Sequence, residues 1–262
     1  MSLFGGLQTS VAGVSAQANR LNTIGQNISN VSTTGFKAGT VAFESMLGDN
    51  KTLGSVVASD FNGAGVRSTV RLNASSQGSI TTSTTSTNLA VSGNGFFAVK
   101  TASGATAMTR AGAFTRQADG TLLNTAGDTL LGYTAGGSSL TPVIVPTSDT
   151  VVSVATDGTV SFTSAAGVTS TPYSIPLASV RSPENLTALT ADDYVANDDS
   201  GAMTLAKANT KGLGTIQGSS LESSTTDLAT ELSNMIVTQR GYEANSKVMS
   251  TTADMLSKLG DL

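Results

Sequence analysis

The chain has 262 residues, which is long enough to bury a substantial core in one large or two modest domains. Its formal net charge is −4, charged residues make up 12% of it, and no lysine or arginine run occurs, so nucleic acid is not an expected partner. Cysteine and histidine are both absent, which excludes disulfides and thiolate metal sites and removes the commonest general base.

The N-terminus, "MSLFGGLQTSVAGVSAQANRL", has no basic stretch followed by an apolar run. A cleaved signal peptide is therefore not expected. No segment approaches the ~18 apolar residues that a membrane span needs. If the protein leaves the cell, we expect it to use a route that reads no such signal.

The first predicted element is an N-terminal helix, Leu3–Val31. Apolar or small residues recur alternately four and three positions apart, which places them on one stripe of a helix: Leu7, Val11, Val14, Ala18, Leu21, Gly25 and Ile28. Each helical glycine costs about 1 kcal/mol relative to alanine, so this helix is expected to be marginal by itself.

The segment after this helix, residues 33–67, follows neither a helical nor a strand pattern. We interpret it as an extended connector that contains a short helix at Val41–Leu47. The connector leads from the first helix into a region of different character.

Residues 68–223 consist of short alternating segments separated by turn signals, which predicts a central antiparallel all-β domain. Within it, "LAVSGNGFFAV" (residues 89–99) predicts two strands that form a hairpin around Gly93-Asn94-Gly95. The acidic pairs at 192–193 and 198–199 have no base beside them, so exposed loop is the favoured interpretation.

The strongest pattern lies in the C-terminal helix, Thr226–Leu259. Ser224 with Asp227 three positions later predicts a capping box at its start. Apolar residues recur every seven positions, and Leu232 occupies a complementary position with Gln239, Ser246 and Ala253; the repeat consists of Leu221, Leu228, Met235, Tyr242, Met249 and Leu256. A strict seven-residue repeat favours supercoiling against a partner helix.

Two interpretations of the terminal stripes are open. Both helices could pack on the β core, or they could pack on other helices. The stripes lie at the two ends of the chain and include small or polar members such as Gly25 and Gln239, which favours contact between helices. The predicted fold class is therefore α+β, with residues 1–32 and 224–262 forming a coiled-coil domain beside the β domain, and copies of the chain forming a polymer.

The motifs of common catalytic sites are missing. No G-x-S-x-G or H-E-x-x-H sequence occurs, and a Ser-His-Asp triad is impossible without histidine. Gly93-Asn94-Gly95 is not followed by the lysine and hydroxyl residue of a phosphate loop. The sequence predicts no enzyme, no cofactor, no metal and no small-molecule substrate.

Three segments, taken in order along the chain, resemble the rod and hook subunits of bacterial flagella, the flagellar axial proteins. They are "QNISNVSTTGFK", "LAVSGNGFFAV" and the C-terminal "LESSTTDLATELSNMIVTQRGYEANSKVMSTTADML". The signature positions of the resemblance are Asn27, Asn30, Gly35, Phe36, Lys37, Gly93, Asn94, Gly95 and Phe96.

This resemblance implies that the paired terminal helices form the inner tube of a helical polymer. The implied assembly residues are Leu7, Val11, Val14, Leu21, Ile28, Leu228, Leu232, Met235, Tyr242, Met249 and Leu256. The signature near residue 35 would end the inner helix and redirect the chain outward, and Gly35 is expected to have a positive φ.

Among the family members, the sequence looks most similar to a hook subunit, the universal joint that transmits motor torque to the filament. A distal rod subunit, the drive shaft, is the second interpretation. Such a subunit has about the length of this chain and shares the segment "YEANSK" with it. A different class of protein, a secreted β-rich adhesin or binding module, is the third.

The resemblance also implies the partners and the location. The partners would be further copies of the chain, other axial proteins at the two ends of the polymer, the flagellar export apparatus and a cap chaperone. The location would be the bacterial flagellum, in the hook or the basal-body rod, reached by type III export without a cleaved signal peptide.

Overall fold

The computed structural model describes residues 3–47, 63–134, 137, 139–146, 149–164, 169–189 and 192–260. Two long helices lie at the two ends of the chain, α1 (Leu3–Ser29) and α2 (Leu228–Gly260). Both were predicted, and their ends differ from the predicted ones by no more than two residues. Neither helix, nor any other described helix, combines the length and apolar character that crossing a membrane requires.

Nineteen described strands lie between the helices. They are β1 (Gly39–Leu47), β2 (Gly63–Leu72), β3 (Ile80–Thr82), β4 (Leu89–Ser92), β5 (Phe96–Lys100), β6 (Thr106–Thr109), β7 (Thr115–Arg116), β8 (Leu122–Leu123), β9 (Thr129–Thr134), β10 (Leu140–Pro142), β11 (Asp149–Val154), β12 (Thr159–Ser164), β13 (Thr169–Ser174), β14 (Pro176–Ser179), β15 (Thr187–Ala188), β16 (Asp193–Val195), β17 (Thr204–Lys207), β18 (Thr215–Gly218) and β19 (Ser220–Glu222). A single 3₁₀ turn, Pro183–Asn185, occurs among the described residues.

The chain divides into two compact units. The helical unit contains residues 1–29, 39–71 and 227–262, and the β unit contains residues 30–38 and 72–226. Each unit is therefore built from segments that are far apart in the sequence. Helices at both ends and an antiparallel β region between them confirm the predicted α+β class.

In the helical unit, α1 and α2 run antiparallel and pack on each other. Asn27 contacts Glu231, and a Cβ at Gly241 would lie 3.0 Å from Gln17 Nε2, so the contact positions run in opposite directions along the two helices. α2 begins directly after Asp227, whose Oδ1 accepts a hydrogen bond of 2.7 Å from the Thr230 N–H.

That cap differs from the predicted capping box. Ser224 Oγ accepts a hydrogen bond from the N–H of Thr226 and not from that of Asp227, and Asp227 itself is the capping residue. Its carboxylate bonds the amide three positions ahead, which is the usual geometry of an N-cap. The Thr230 N–H also lowers the pKa of Asp227.

The prediction of a short helix at Val41–Leu47 is wrong, because this segment belongs to β1. Strand β1 pairs with β2 in a two-stranded sheet, so much of the predicted connector is paired structure. Thr40, Val41 and Phe43 favour a pleated conformation, since branched and aromatic side chains lose less freedom in strands than in helices. The Arg20 guanidinium lies 5.7 Å from the centre of the Phe43 ring.

Most strands of the β unit belong to one antiparallel sheet. Thirteen strands are connected in it, and its main path has the order β11-β12-β13-β9-β5-β6-β16-β15. Two further pairs, β4 with β18 and β3 with β19, bring strands from the two ends of the unit together. The largest cluster of buried apolar side chains includes Leu89, Val91, Phe97, Val99, Phe114, Leu130, Phe162, Ile175, Leu177 and Ile216.

The prediction that the two strands beside Gly93-Asn94-Gly95 pair with each other as a hairpin is also wrong. Strands and a turn lie where the sequence predicts them, but β4 pairs with β18, whereas β5 pairs with β6, β9 and β14. Every described residue of β4 and β5 except Ser92 and Lys100 is buried. Strands buried this deeply meet several neighbours, and local turn chemistry does not choose among them.

Candidate functional site

The contact between α1 and α2 is lined by small and polar residues. Thr238 is buried near its centre, and a Cβ at Gly13 would lie 2.8 Å from Asn245 Nδ2. A Cβ at Gly241 would likewise lie 3.0 Å from Gln17 Nε2. The two helices therefore approach closely at Gly13 and Gly241.

The predicted assembly residues are distributed around this contact. Val11, Leu228, Leu232 and Tyr242 are between 38% and 49% exposed. The others are half-buried: Leu7, Val14, Leu21, Ile28, Met235, Met249 and Leu256. A single copy thus leaves apolar surface on both helices in contact with water, and the role of these residues in assembly stays a prediction.

The sequence analysis missed a second set of exposed apolar residues on α2. Ile236, Val237, Val248 and Met255 are between 50% and 62% exposed. Val237, Val248 and Met255 are separated by eleven and seven positions, so they share one face of the helix. A helical projection of the apolar residues outside the seven-residue repeat could have found this stripe.

At the end of α1, the signature residue Asn27 is buried and holds the backbone of strand β1. Its Oδ1 accepts a hydrogen bond of 2.9 Å from the Gly39 N–H, and its Nδ2 donates one of 2.9 Å to the Gly39 carbonyl. Nδ2 also donates to Glu231 Oε1 on α2, again at 2.9 Å. One amide side chain therefore connects α1, β1 and α2 within the helical unit.

The next signature residues belong to the β unit. Asn30 Oδ1 accepts a hydrogen bond from Thr33 Oγ1 in the turn that follows α1. Gly35 has φ = 74°, as the sequence predicted, and its N–H donates to the carbonyl of Glu222 at 2.8 Å. A Cβ at Gly35 would lie 2.4 Å from the carbonyl carbon and oxygen of Arg110, so only glycine fits this approach.

Phe36 and Lys37 complete this signature, and both are buried. The Phe36 carbonyl accepts a hydrogen bond of 3.1 Å from the Thr225 N–H. Lys37 Nζ donates to Glu222 Oε1 at 2.6 Å and also to the Ser76 carbonyl. The segment is thus attached to two parts of the β unit that lie far from it in sequence.

Glu222 and Arg110 form the rest of a buried ionic cluster. Arg110 Nη1 lies 3.0 Å from Glu222 Oε2, and the Gly78 N–H donates to Glu222 Oε1 at 2.9 Å. The side chains of Lys37 and Glu222 have no exposed surface, and that of Arg110 is 4% exposed. Charges buried this completely require partners, and removing one partner of such a pair typically costs about 3–5 kcal/mol.

Burial opposes the charged form of both cations. Burial lowers the pKa of Lys37, and the hydrogen bond that Lys37 donates to Glu222 opposes this shift. Burial also lowers the pKa of Arg110, and the negative charge of Glu222 again acts in the opposite direction. Glu222 is therefore the group that keeps two cations charged inside the β unit.

The second signature meets the same cluster. Arg110 Nη2 donates to the Gly93 carbonyl at 2.7 Å, and the guanidinium carbon lies 5.2 Å from the centre of the Phe96 ring. Gly93 and Gly95 have φ values of 103° and 120°, and a Cβ at Gly95 would lie 3.1 Å from Leu177 Cβ. Asn94 is exposed at the tip of the turn, and Phe96 is buried edge-on against Tyr194.

The sequence analysis named Lys37, Gly93 and Phe96 but missed the two residues that join them, Arg110 and Glu222. A signal was present, because charged residues are sparse in this chain and both lie in or beside apolar strand segments. A charge at such a position is almost never fully buried unless it is paired.

This arrangement connects distant segments of the chain. Three parts of the chain (residues 35–37, 93–110 and β19) are joined by ion pairs and hydrogen bonds, and exposed apolar side chains lie on the helices. Among the described residues, no group of three or more acidic, histidine or cysteine side chains could hold a metal ion. Such features define a structural subunit with helix surfaces suited to packing.

Three family models match the chain in sequence order. Residues 7–37 match "Flagella basal body rod protein", residues 90–162 match "Flagellar hook protein FlgE/F/G D1 domain", and residues 217–262 match "Flagellar basal body rod FlgEFG protein C-terminal". The first and second matches contain the two signatures, and the third contains Glu222 and α2.

Individual relatives agree with these matches. The flagellar basal-body rod protein FlgG of Bacillus subtilis is 32% identical over 266 residues, which covers 98% of both chains. The flagellar hook protein FlgE of Rhizobium meliloti is 38% identical over 169 residues, or 64% of this chain, and the match spans 40% of that protein. The hook protein FlgE of Brucella suis is 26% identical over an alignment of 400 residues that covers both chains.

The chain belongs to the FlgE/F/G family of flagellar hook and basal-body rod proteins. It is therefore a structural subunit of the flagellar axis, where subunits of this family form polymers.

Proposed function

We propose that this chain is a hook-type subunit that polymerises into the tube linking the flagellar motor to the filament. The exposed apolar residues of α2 carry this proposal, because one copy leaves Leu228, Leu232, Val237 and Val248 in water. Large apolar residues exposed side by side on a helix are typical of an interaction surface. In the polymer, the helices of residues 1–32 and 224–262 form the inner tube.

The hook assignment is supported by the 38% identity to the Rhizobium meliloti hook protein, over 64% of this chain. A hook subunit transmits motor torque, so its domains must keep their shape under load. The buried cluster of Lys37, Arg110 and Glu222 is suited to this role, because it joins distant segments of the β unit at one point.

A distal rod subunit is the second candidate, and a specific observation favours it. The FlgG proteins of Bacillus subtilis and of Buchnera aphidicola from Acyrthosiphon pisum align over 98% of both chains, with 32% and 33% identity. The alignment with the Brucella suis hook protein extends over 400 residues, which is much longer than this chain. The alignment over nearly all of both chains supports the rod subunit, and the higher identity of the local match supports the hook subunit.

The role is structural and does not include catalysis or a cofactor. The partners are further copies of the chain, other axial proteins at the two ends of the tube, the export apparatus and a cap chaperone. The chain reaches the flagellum by type III export, without removal of a signal peptide.

Two experiments test the proposal. The first is electron microscopy of the concentrated purified chain, in which we expect tubes, whereas a persistent monomer with affinity for a ligand would favour an adhesin. The second is gold labelling of an epitope-tagged chain in purified hook–basal bodies. Label along the external hook supports the hook subunit, and label confined to the rod shows the distal rod subunit instead.

A further inference from the structure

A cavity of about 310 Å³ opens on the β unit beside the second signature turn. Asn94, Gly95 and Phe96 line one side of it. Arg110, Arg181 and Lys211 contribute the charged groups of its wall. All lining residues belong to the β unit, so the cavity is a feature of that unit alone.

The charge of this cavity has one sign. Every charged residue that lines it is a cation, and no carboxylate of the described chain is among the lining residues. Arg181 and Lys211 are exposed, whereas Arg110 is buried. Lys211 has φ = 53°, a strained backbone conformation for a non-glycine residue, and such conformations cluster at functional positions.

The buried cluster that includes Arg110 also carries an excess of positive charge. Lys37 and Arg110 carry two positive charges against the single negative charge of Glu222. Both terminal nitrogens of Arg110 have partners, but its buried Nε has no hydrogen-bond partner among the described residues. Buried cations are stable when anions balance them, so the region favours a further negative group.

We propose that this cavity binds a carboxylate side chain of a neighbouring copy of the chain. The inference rests on the proposed polymer. Charge complementarity supports the occupant, because Glu184, Asp198 and Asp199 are exposed on the β unit and form no ion pair with a described residue. A guanidinium and an ammonium group together bind carboxylates through short charge-assisted hydrogen bonds.

The first test uses the monomer and acetate, the smallest carboxylate probe. We expect acetate to shift the amide NMR signals of Gly95 and Leu213 in a saturable way, and Arg181→Gln to weaken this binding about tenfold, because one charge-assisted contact is lost. Lys100→Gln removes an exposed cation outside the cavity and should leave binding unchanged. Absence of saturable shifts, or equal binding by both variants, overturns the site.

The second test identifies the source of the carboxylate. We expect Arg181→Gln and Lys211→Gln each to raise the concentration needed for tube formation about tenfold relative to Lys100→Gln. Asp198→Asn with Asp199→Asn, or Glu184→Gln, should have the same effect. If the cavity variants assemble as Lys100→Gln does, a free anion is the ligand and the assignment to a neighbouring copy is overturned.

These outcomes separate the inference from the proposed function. A wild-type chain that forms no tubes contradicts the proposed function, and the acetate titration then still decides whether the cavity binds carboxylates. Tubes that form equally well from all variants support the proposed function and contradict the inference.

Discussion

Lys37 and Glu222 lie 185 positions apart in the chain, yet their side chains form a hydrogen bond of 2.6 Å between Nζ and Oε1. Both side chains have no exposed surface. Residue 37 follows the N-terminal helix and residue 222 precedes the C-terminal helix. This pair therefore joins, within the β unit, the segment that follows the first helix to the segment that precedes the last one.

The first prediction concerns this cluster. Glu222→Gln should destabilise the β unit by about 3–5 kcal/mol, because two cations remain buried without a counter-charge. Lys37→Met should cost less, about 1–3 kcal/mol, because the Ser76 carbonyl and Glu222 Oε1 lose the lysine as donor but Arg110 and the Gly78 N–H still bind Glu222. Urea unfolding followed by circular dichroism measures both.

A matched control for Glu222→Gln is Glu44→Gln. Glu44 pairs with Arg71 at 3.8 Å, and both side chains are more than half exposed. Exposed pairs contribute roughly 0–1 kcal/mol. Equal losses in the two variants would show that the buried cluster does not stabilise the β unit.

The second prediction concerns Gly35. Gly35→Ala combines a positive φ with a clash against the Arg110 backbone, and it should cost roughly 3 kcal/mol or more. Gly127→Ala is the control, because Gly127 has φ = 91° but nothing within 4 Å of its Cβ position, and it should cost only about 1 kcal/mol.

At the same position, Gly35→Val should weaken tube formation more than Gly39→Ala. Gly39 has no positive φ, and its added Cβ would lie 3.2 Å from the Thr23 Cγ2 methyl, a milder contact than the 2.4 Å approach to backbone at Gly35. Tube yield by electron microscopy compares the two. Wild-type yield from Gly35→Val would contradict the account of this turn.

The third prediction concerns Asn27. Asn27→Ala leaves the half-buried N–H and carbonyl of Gly39 without their side-chain partner, and the loss should cost about 1–3 kcal/mol. Hydrogen exchange of the Gly39 amide should become much faster. In the control Asn19→Ala, only an exposed contact with Ser68 is lost, so stability should change little. Unchanged exchange at Gly39 would rule out the proposed anchoring.

The fourth prediction concerns pH. Burial, with the nearby charge of Asp193, raises the pKa of Asp192 from 3.8 to about 6. The folded chain therefore holds this proton more tightly than the unfolded chain, so stability should fall as the pH rises from about 4 to about 6.

Asp192→Asn should remove this dependence and stabilise the β unit by about 1–2 kcal/mol at pH 7, a value reduced because Asp192 is only half-buried. Urea midpoints across this pH range measure the effect, with the exposed Asp199→Asn as control. A midpoint of Asp192→Asn that follows the wild type at every pH would refute the raised pKa.

The fifth prediction concerns assembly. Leu228 is 44% exposed, so Leu228→Asp should leave the monomer folded, whereas in the tube it buries an unpaired charge at a cost of several kcal/mol per subunit. Met235→Asp should also prevent tubes. Ala229→Asp places the same charge one position on, away from the apolar stripe, and should be tolerated. Normal tubes from Leu228→Asp would contradict this surface.

Local periodicity accounts for the elements that sequence analysis predicted well. The seven-residue repeat extends over more than four turns of α2, and the alternating stripe of α1 covers most of its length. Such patterns reflect interactions between residues three to seven positions apart, which a sequence displays directly. The positive φ of Gly35 is of the same kind, because it follows from a glycine in the polar turn segment after the helix.

One error concerns burial: the acidic pair at 192–193 was predicted to be exposed loop, but Asp193 is buried in β16 and Asp192 is half-buried. The other errors concern partner choice. Strand β1 was taken for a connector with a short helix, and β4 pairs with β18 and not with β5. Strand pairing is decided by which backbone groups meet across the fold, and a short strand looks the same beside any partner. Arg110 and Glu222 were missed for the same reason, because their partners lie far from them in the sequence.

By itself, the sequence determined the two terminal helices, the β character of the middle, the turn glycines and the resemblance to flagellar axial proteins. These depend on spacing within short segments. The tertiary structure alone decided that Lys37, Arg110 and Glu222 meet, and which apolar residues of the helices remain exposed. The physical reason is that burial and ion pairing are properties of groups brought together by the whole chain, and the nearest sequence neighbours of a residue do not reveal its partners in space.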